Sequence, residues 1–362
     1  MQINWLYSYL VIFGIAAVIT YLVTFLARVI SSPLKIVDNP GPLKIHSQPT
    51  PRLGGLGIYI GVALTVGLIF YNVAGGSVAN LSEETRQQFI SILLGGGVVM
   101  LIGFYDDVKS ASSGGVSAVI KLLILFGATF ILAHAGILIN FPFPKWVNFT
   151  LTLFWIVGVI SAFNAMDNMD GLATGLALIA AGTYIVIARQ THQWTWGILA
   201  SALMGAMAGF LPHNFKVKKP AAIFMGDSGA FFIGFTLAAL SIMGGWSTSP
   251  FKAGLIPIII LGVPILDFVY IVIHRYLNGL TPTVSQVITY TGNDHLSHRI
   301  NHFLGKKQTV LFIYLISFTL GLGAVALRNS TKTEAIFITV QYLLIFIIIC
   351  ILIGFLSRHK AH

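Results

Sequence analysis

Long apolar runs separated by short polar loops dominate the chain. Eleven stand out, near residues 5–30, 54–74, 89–105, 116–134, 149–165, 171–188, 194–211, 224–244, 252–273, 309–327 and 334–356. Each is about as long as the roughly 17–25 residues that an α-helix needs to cross a bilayer. None shows the period-two alternation of the roughly 10-residue strands of a membrane barrel. The first run is too long for a signal peptide and lacks a charged leading region, so it is expected to remain as a span. The pattern predicts an all-α polytopic membrane protein with about eleven transmembrane helices in a single domain over residues 1–362.

Composition agrees. The chain is 56% hydrophobic and only 9% charged, with a mean hydropathy of +0.87, whereas soluble domains carry roughly 25% charged residues. No long polar stretch remains to build a separate soluble domain. The one cysteine, Cys350, lies in an apolar run, which excludes an intramolecular disulfide and a thiolate metal site.

The net charge of +10 raises the question of a nucleic-acid or lipid partner. Its distribution points to the membrane. With eleven spans and the N-terminus outside, only Arg86, Lys145, Arg189, Lys252, Arg328 and Lys332 of the 21 Lys and Arg residues fall on the outer side. The other fifteen flank the inner loops, as the positive-inside rule requires. The expected topology is therefore N-terminus outside and C-terminus cytoplasmic, with the bilayer and not nucleic acid as partner.

That topology gathers acidic residues on one face. Asp106-Asp107 closes the third run. Asn164-Ala165-Met166-Asp167-Asn168-Met169-Asp170-Gly171 joins the fifth to the sixth. Gly226-Asp227-Ser228-Gly229 opens the eighth. Carboxylates at the ends of membrane spans are costly and tend to be functional, although Asn, Asp and Ser at such places also serve as helix caps. Three clusters on one face suggest a shared site for a cation and phosphates. Mg²⁺ suits one or two carboxylates together with substrate phosphates, and the amides at a helix start suit a phosphate.

Basic residues accompany the acids. Lys121 sits early in the fourth run, where it either snorkels to the interface or holds a phosphate as a point charge. Arg52 ends a Pro-rich inner loop, and either anchors at headgroups or contacts a phosphate. Asp267, inside the ninth run, is expected to be structural and paired with Lys or Arg. In the longest inner loop, residues 278–307, Asp294-His295-Leu296-Ser297-His298-Arg299 offers a cationic clamp for a phosphate. No second His or Cys cluster completes a zinc site. Gly103 and Gly171 are expected to leave room for a lipid.

These motifs, in this order, resemble the polyprenyl-phosphate N-acetylhexosamine-1-phosphate transferases, the superfamily of WecA, TagO and MraY, and in particular its WecA/TagO-like branch. The resemblance runs from Pro51-Arg52-Leu53-Gly54-Gly55 to His298-Arg299. It implies transfer of a sugar phosphate, most simply N-acetylglucosamine-1-phosphate, from a UDP-N-acetylhexosamine to undecaprenyl phosphate with release of UMP. It also implies a bacterial plasma-membrane location with a cytoplasmic active site, Mg²⁺ or Mn²⁺ as cofactor, and a homodimer. Asp227 then resembles the metal carboxylate. Asp106 and Asp107 resemble the acids near the lipid phosphate, and Asp167 and Asp170 join them as catalytic candidates with Asn164 beside them. Arg52, Lys121, Asn214, Phe224, His295, His298 and Arg299 resemble the substrate-binding set, with Asn214 and Phe224 on the uracil side.

The histidine loop departs from the branch's common His-Ile-His-His-Arg, Asn168 replaces a common Gly, and Ser161 replaces a common Asn. These departures bear on the sugar more than on the reaction. A muramyl-pentapeptide substrate is the alternative within the superfamily, against which the absence of three adjacent histidines and the presence of Arg52 both argue. A cation-coupled transporter is the rival from another class. It would place its carboxylates near the bilayer midplane within inverted repeats, and no repeat is visible here.

Overall fold

A computed structural model describes residues 5–40, 48–70, 81–110, 115–216, 218–281, 292 and 294–359, with side chains described as far as Ile351. Lys44, the end of the second expected span and the middle of the 278–307 loop lie outside these residues. The described chain is almost wholly helical and forms two compact units, Met1–Gly244 and Gly245–His362, where the sequence pattern reads as one domain.

The first unit contains α1 (Trp5–Ser31), α2 (Gly54–Phe70), α3 (Glu83–Ser110), α4 (Ala118–His134), α5 (Lys145–Met166), α6 (Leu172–Gln190), α7 (Trp194–Asn214) and α8 (Gly226–Met243). A two-residue antiparallel ribbon, β1 (Val37–Asp38) with β2 (Thr50–Pro51), pairs Val37 with Pro51 and Asp38 with Thr50. The second unit contains α9 (Pro250–Ile260), α10 (Gly262–Leu277), α11 (Leu296–Leu304), α12 (Lys306–Asn329) and α13 (Lys332–His359).

Among the described residues eight helices are long and apolar enough to cross a membrane, and this makes the chain a multi-pass α-helical membrane protein. Helices α9 and α10 together make a ninth candidate, but they bend by 78° where the sequence pattern suggested one straight run. Proline explains the break. Pro264 has no N–H to offer the carbonyl of Ile260, and Pro257 lies within the preceding turns. Helices α2 and α4 are apolar but have only 17 residues each.

Small residues hold the first unit together, as expected where lipid removes most of the hydrophobic drive between helices. Helix α1 meets two Gly-x-x-x-Gly faces. A side chain added at Gly205 or Gly209 of α7 would run into the α1 carbonyls of Phe13 or Ala17, and one at Gly57 or Gly61 of α2 would meet Thr24 or Thr20. Helix α8 is apolar all round and packs against α2, α3 and α5. There Gly95 and Gly96 of α3 receive Phe235 and Phe232, and Gly234 lies against the backbone of Ile160. The centre of α8 is thus buried by protein and not by lipid, which fixes its polar N-terminus among its neighbours.

Gly209→Leu should lower stability by about 1–3 kcal/mol through overpacking against the α1 backbone. Gly67→Ala, on α2 with open space beside it, should leave the melting temperature nearly unchanged. Thermal unfolding of both variants in one detergent checks the pair, and equal behaviour would contradict the packing account.

Candidate active site

The site is built from the α8 N-terminus outward. Gly226 adopts φ +71°, a conformation that favours glycine, and a side chain there would collide with the carboxylate of Asp107. The turn is tied down by a short backbone ladder. Phe224 donates its N–H to Pro51 (2.8 Å), Gly54 donates to Phe224 (3.0 Å), and Gly55 donates to Met225 (2.9 Å). The Pro51–Gly55 segment therefore docks directly on the loop before α8. A side chain at Gly55 would overlap the backbone of Gly229, and one at Gly54 the carbonyl of Phe224, so both glycines serve close packing.

Asp106 and Asp107, adjacent at the end of α3, face different partners. Asp107 is fully buried. It accepts from the N–H of Asp227 (3.0 Å), the N–H of Ser228 (3.1 Å) and the hydroxyl of Ser228 (3.0 Å). It is the cap of α8, supplied from another helix. Neither Asp227 nor Ser228 caps its own helix, and those two amides are occupied and not open to a phosphate. The guanidinium of Arg52 stands 3.6 Å from Asp107 and 3.5 Å from Asp38. Burial works against the Arg52 charge, but Asp107, Asp38, Asp227 and Asp167 outweigh it and raise its pKa.

Asp106 turns toward α4 instead. It accepts from the N–H of Val116, and its Oδ2 lies 2.9 Å from Nζ of Lys121. The same ammonium lies 3.2 Å from Oδ2 of Asp227. Lys121 thus bridges two carboxylates from α3 and α8, with the ring of Phe231 5.5 Å away. Asp227 at 18% and Lys121 at 24% are partly exposed, while Asp106 at 8% is buried. Such a bridge is stable yet reachable by a ligand.

The α5–α6 turn completes the cluster. Gly171, at φ +81°, donates its N–H to Oδ1 of Asn214 (2.8 Å), and Nδ2 of Asn214 donates to Ile223 (3.0 Å). Thr174 also reaches Oδ1 of Asn214, at 3.3 Å. Asn214, expected on the uracil side, is buried and ties this turn to the 221–224 loop. Asp170 accepts from the N–H of Ala221 (3.0 Å) and serves the same joint. Neither Gly103 nor Gly171 leaves room for a lipid. A side chain at Gly103 would stand 2.6 Å from the Asp227 backbone, and one at Gly171 would stand 2.7 Å from Phe215. Asn164 and Asp167, by contrast, make no side-chain hydrogen bond among the described residues and are only partly exposed. Burial, resisted by Arg52 but reinforced by Asp227, Asp107 and Asp170, pushes the Asp167 carboxyl well above the usual carboxylate range.

The histidine segment belongs to the second unit, where Leu296–Leu304 is helical and not a loop. Asp267 is fully buried and accepts from His295 Nδ1 and from the N–H of Leu296, both at 2.8 Å. It caps α11, so its partners are a histidine and a backbone amide, not the Lys or Arg expected. Arg275 grips Asp294 through two bonds of 2.7 and 2.6 Å. Burial alone would raise the Asp294 carboxyl, but Arg275 outweighs it and holds it below the usual range. Arg299 donates to the Asp294 carbonyl (3.1 Å), lies 3.1 Å from His274 Nε2, and stacks over Tyr270 at 5.4 Å. The imidazole of His298 makes no hydrogen bond among the described residues. Burial, with His295 nearby, lowers its pKa and favours the neutral imidazole.

Asp38, Tyr270 and His274 were not legible as partners, since each pairs across a long sequence separation with no spacing to signal it. Among the described residues no three His, Cys, Asp or Glu side chains converge as a ready-made metal centre. Mg²⁺ needs no such centre, because one or two carboxylates with waters and substrate phosphates suffice. Asp227 and Asp106, already sharing one positive charge, are a fitting pair.

Fold and site together define a multi-pass membrane protein whose acids, lysine and arginine gather where several spans end. Residues 89–245, which run from within α3 to just past α8, match Glycosyl transferase family 4. Over 338 residues the chain is 33% identical to the probable undecaprenyl-phosphate N-acetylglucosaminyl 1-phosphate transferase of Bacillus subtilis, covering 91% of this chain and 87% of that one. It is 31% identical to the decaprenyl-phosphate N-acetylglucosaminephosphotransferase of Mycolicibacterium smegmatis, covering 85% and 79% of the two chains. It is 32% identical to the phospho-N-acetylmuramoyl-pentapeptide-transferase of Listeria welshimeri, covering 62% and 74%. The chain belongs to this family of polyprenyl-phosphate sugar-phosphate transferases.

Asp107 and Asp227 should separate experimentally. Asp107→Ala leaves two amides and a hydroxyl without their acceptor and Arg52 with Asp38 alone, and should cost about 3–5 kcal/mol of stability. Asp227→Asn should melt near wild type while losing transfer activity. A folded, fully stable Asp107→Ala protein would refute the capping role.

Proposed function

We propose that the protein transfers N-acetylglucosamine-1-phosphate from UDP-N-acetylglucosamine to undecaprenyl phosphate, releasing UMP, as the first membrane step of envelope glycan synthesis. The carboxylate–ammonium bridge of Asp106, Lys121 and Asp227 carries this reading, because it lies wholly within the residues that match the family. The N-acetylglucosamine enzymes also match 85–91% of the chain, against 62% for the muramyl-pentapeptide one, which supports the sugar assignment.

In the reaction an oxygen of the lipid phosphate bonds to the sugar-bound phosphorus. The bond from that phosphorus to the bridging oxygen breaks, and UMP departs with the electron pair. Negative charge accumulates on both sides of the transferred group, so positioned positive charge does most of the catalytic work. Lys121 can exchange its carboxylates for a phosphate oxygen, and Asp106, released from it, can take a proton from the lipid phosphate. Asp167, favoured in its protonated form, can donate a hydrogen bond, with Asn164 beside it. In the second unit, the uncommitted imidazole of His298 suits the nucleotide diphosphate, while Arg299 is positioned by Asp294, His274 and Tyr270. Asp227, with Asp106, would hold Mg²⁺, which when bound supplies further positive charge to the phosphates.

The topology belongs to the same proposal. Eight long helices, the bent α9–α10 pair and the shorter α2 and α4 make eleven crossings, with the N-terminus outside and the acids on the cytoplasmic side of the plasma membrane. The soluble nucleotide and the membrane lipid could then meet at one surface.

Purified protein given undecaprenyl phosphate and a panel of UDP-sugars should release UMP and form a lipid-linked product with UDP-N-acetylglucosamine. EDTA should abolish the activity and Mg²⁺ restore it. Turnover only with UDP-N-acetylmuramoyl-pentapeptide would replace the sugar assignment, and no turnover with any of the panel would overturn the reaction.

In a Cys350→Ala background, a cysteine at exposed Ser82 should react with an impermeant reagent applied to intact cells. One at exposed Ser110 should react only after permeabilisation. The reverse pattern would invert the orientation.

A further inference from the structure

The connection between α4 and α5 exposes Phe141 at 44% and Phe143 at 54%, and the first turn of α5 exposes Trp146 at 72%. Exposed non-helical backbone cannot normally enter a bilayer, because unpaired N–H and C=O groups are too costly there. In this segment most of the N–H groups are paired. Ala135, Gly136, Ile137, Leu138 and Phe143 donate their N–H groups to backbone carbonyls nearby. Ile139 donates to the hydroxyl of Thr152 (2.9 Å), and Phe141 donates to Oδ1 of Asn148 (3.3 Å). Pro142 and Pro144 have no N–H. From residue 135 to 144 only the N–H of exposed Asn140 is left to water or a headgroup. Asn148 also covers two carbonyls, donating to Phe141 at 3.0 Å and to Phe143 at 3.3 Å. Asn148 and Thr152 are themselves buried on α5.

We infer that the Phe141–Trp146 segment is a membrane-inserted wedge, seated at the boundary of headgroups and acyl chains on the bilayer face opposite the acidic site. Its surface continues the lipid-facing surfaces of its flanking spans, where Phe126 and Phe130 of α4 and Phe154 of α5 are also exposed. Length supports the same occupant. At 1.5 Å per residue the 17-residue α4 extends about 25 Å, short of the roughly 30 Å hydrocarbon core. An apolar extension beyond His134 makes up the difference. Aromatic rings beside a lysine are the side chains that settle at that depth. The wedge would thus fix the height of two helices whose other ends carry Lys121 and the Asn164–Asp170 turn.

Site-directed spin labels test this in full-length protein with Cys350→Ala, reconstituted in phosphatidylcholine–phosphatidylglycerol vesicles. Labels at Phe143 and Trp146 should be more accessible to oxygen than to a water-soluble nickel chelate, at the depth of the upper acyl chain. Adding Asn148→Ala should shift the Phe143 label toward nickel accessibility, by unpairing the backbone that the wedge submerges. Nickel-accessible labels in the Asn148 protein would show an aqueous loop and overturn the proposal. So would labels reached by neither reagent, which would mean that protein covers the segment. The unsubstituted measurement does not depend on whether Asn148→Ala folds.

Discussion

A carboxylate buried without charge partners in a membrane protein would be prohibitively costly, so the way Asp107 is accommodated governs much of the first unit. Two amides and a hydroxyl of α8 donate to it, and Arg52 stands close by. Each of these partners comes from an element that would otherwise have a problem of its own. The start of α8 has amides with no intrahelical acceptor. Arg52 is a cation among buried groups. The glycine at 226 is required because the carboxylate occupies the space a side chain would need. One side chain resolves these together and sets the position of Asp227.

The two adjacent acids illustrate what a sequence can and cannot reveal. Successive residues of an α-helix point about 100° apart, since 3.6 residues make a turn. Asp106 and Asp107 therefore could not serve one ligand equally, and they divide: one toward the α8 cap, the other toward Lys121. Their presence at a span end was legible from the hydropathy pattern and the charge bias. Their division was not, because it depends on which neighbouring helix occupies each face. Asn214 is a similar case. The resemblance puts its amide on the uracil side, and the structure shows it closing the joint between the α5–α6 turn and the 221–224 loop, a role no local pattern signals.

The spans themselves were legible because hydrophobic length is a local property. The bend at Leu261 was not read, although Pro257 and Pro264 were in view, because proline in a membrane helix only sometimes breaks it. The helicity of Leu296–Leu304 escaped for another reason. Its stabilising partner, Asp267, lies 29 residues away from Leu296, and a histidine-rich segment has weak helical propensity of its own.

Rigidity and reactivity are therefore distributed over different residues of one acidic cluster. Asp107, Asp170 and Asn214 each accept from backbone N–H donors, and such bonds hold helix ends at fixed distances. Asp106 and Asp227 share the ammonium of Lys121 on its four-carbon stem, with Asp106 also accepting from the N–H of Val116, and the side chain of Asp167 makes no hydrogen bond among the described residues. A negatively charged substrate would compete directly for Lys121, and the two carboxylates it leaves would then need another cation. Substrate phosphate and a divalent ion would accordingly favour each other's binding at this site, since each removes an unbalanced charge that the other would create. The fixed acids keep the geometry while that exchange of charges takes place, which is how a site buried among membrane helices can accept polyanionic ligands without losing its fold.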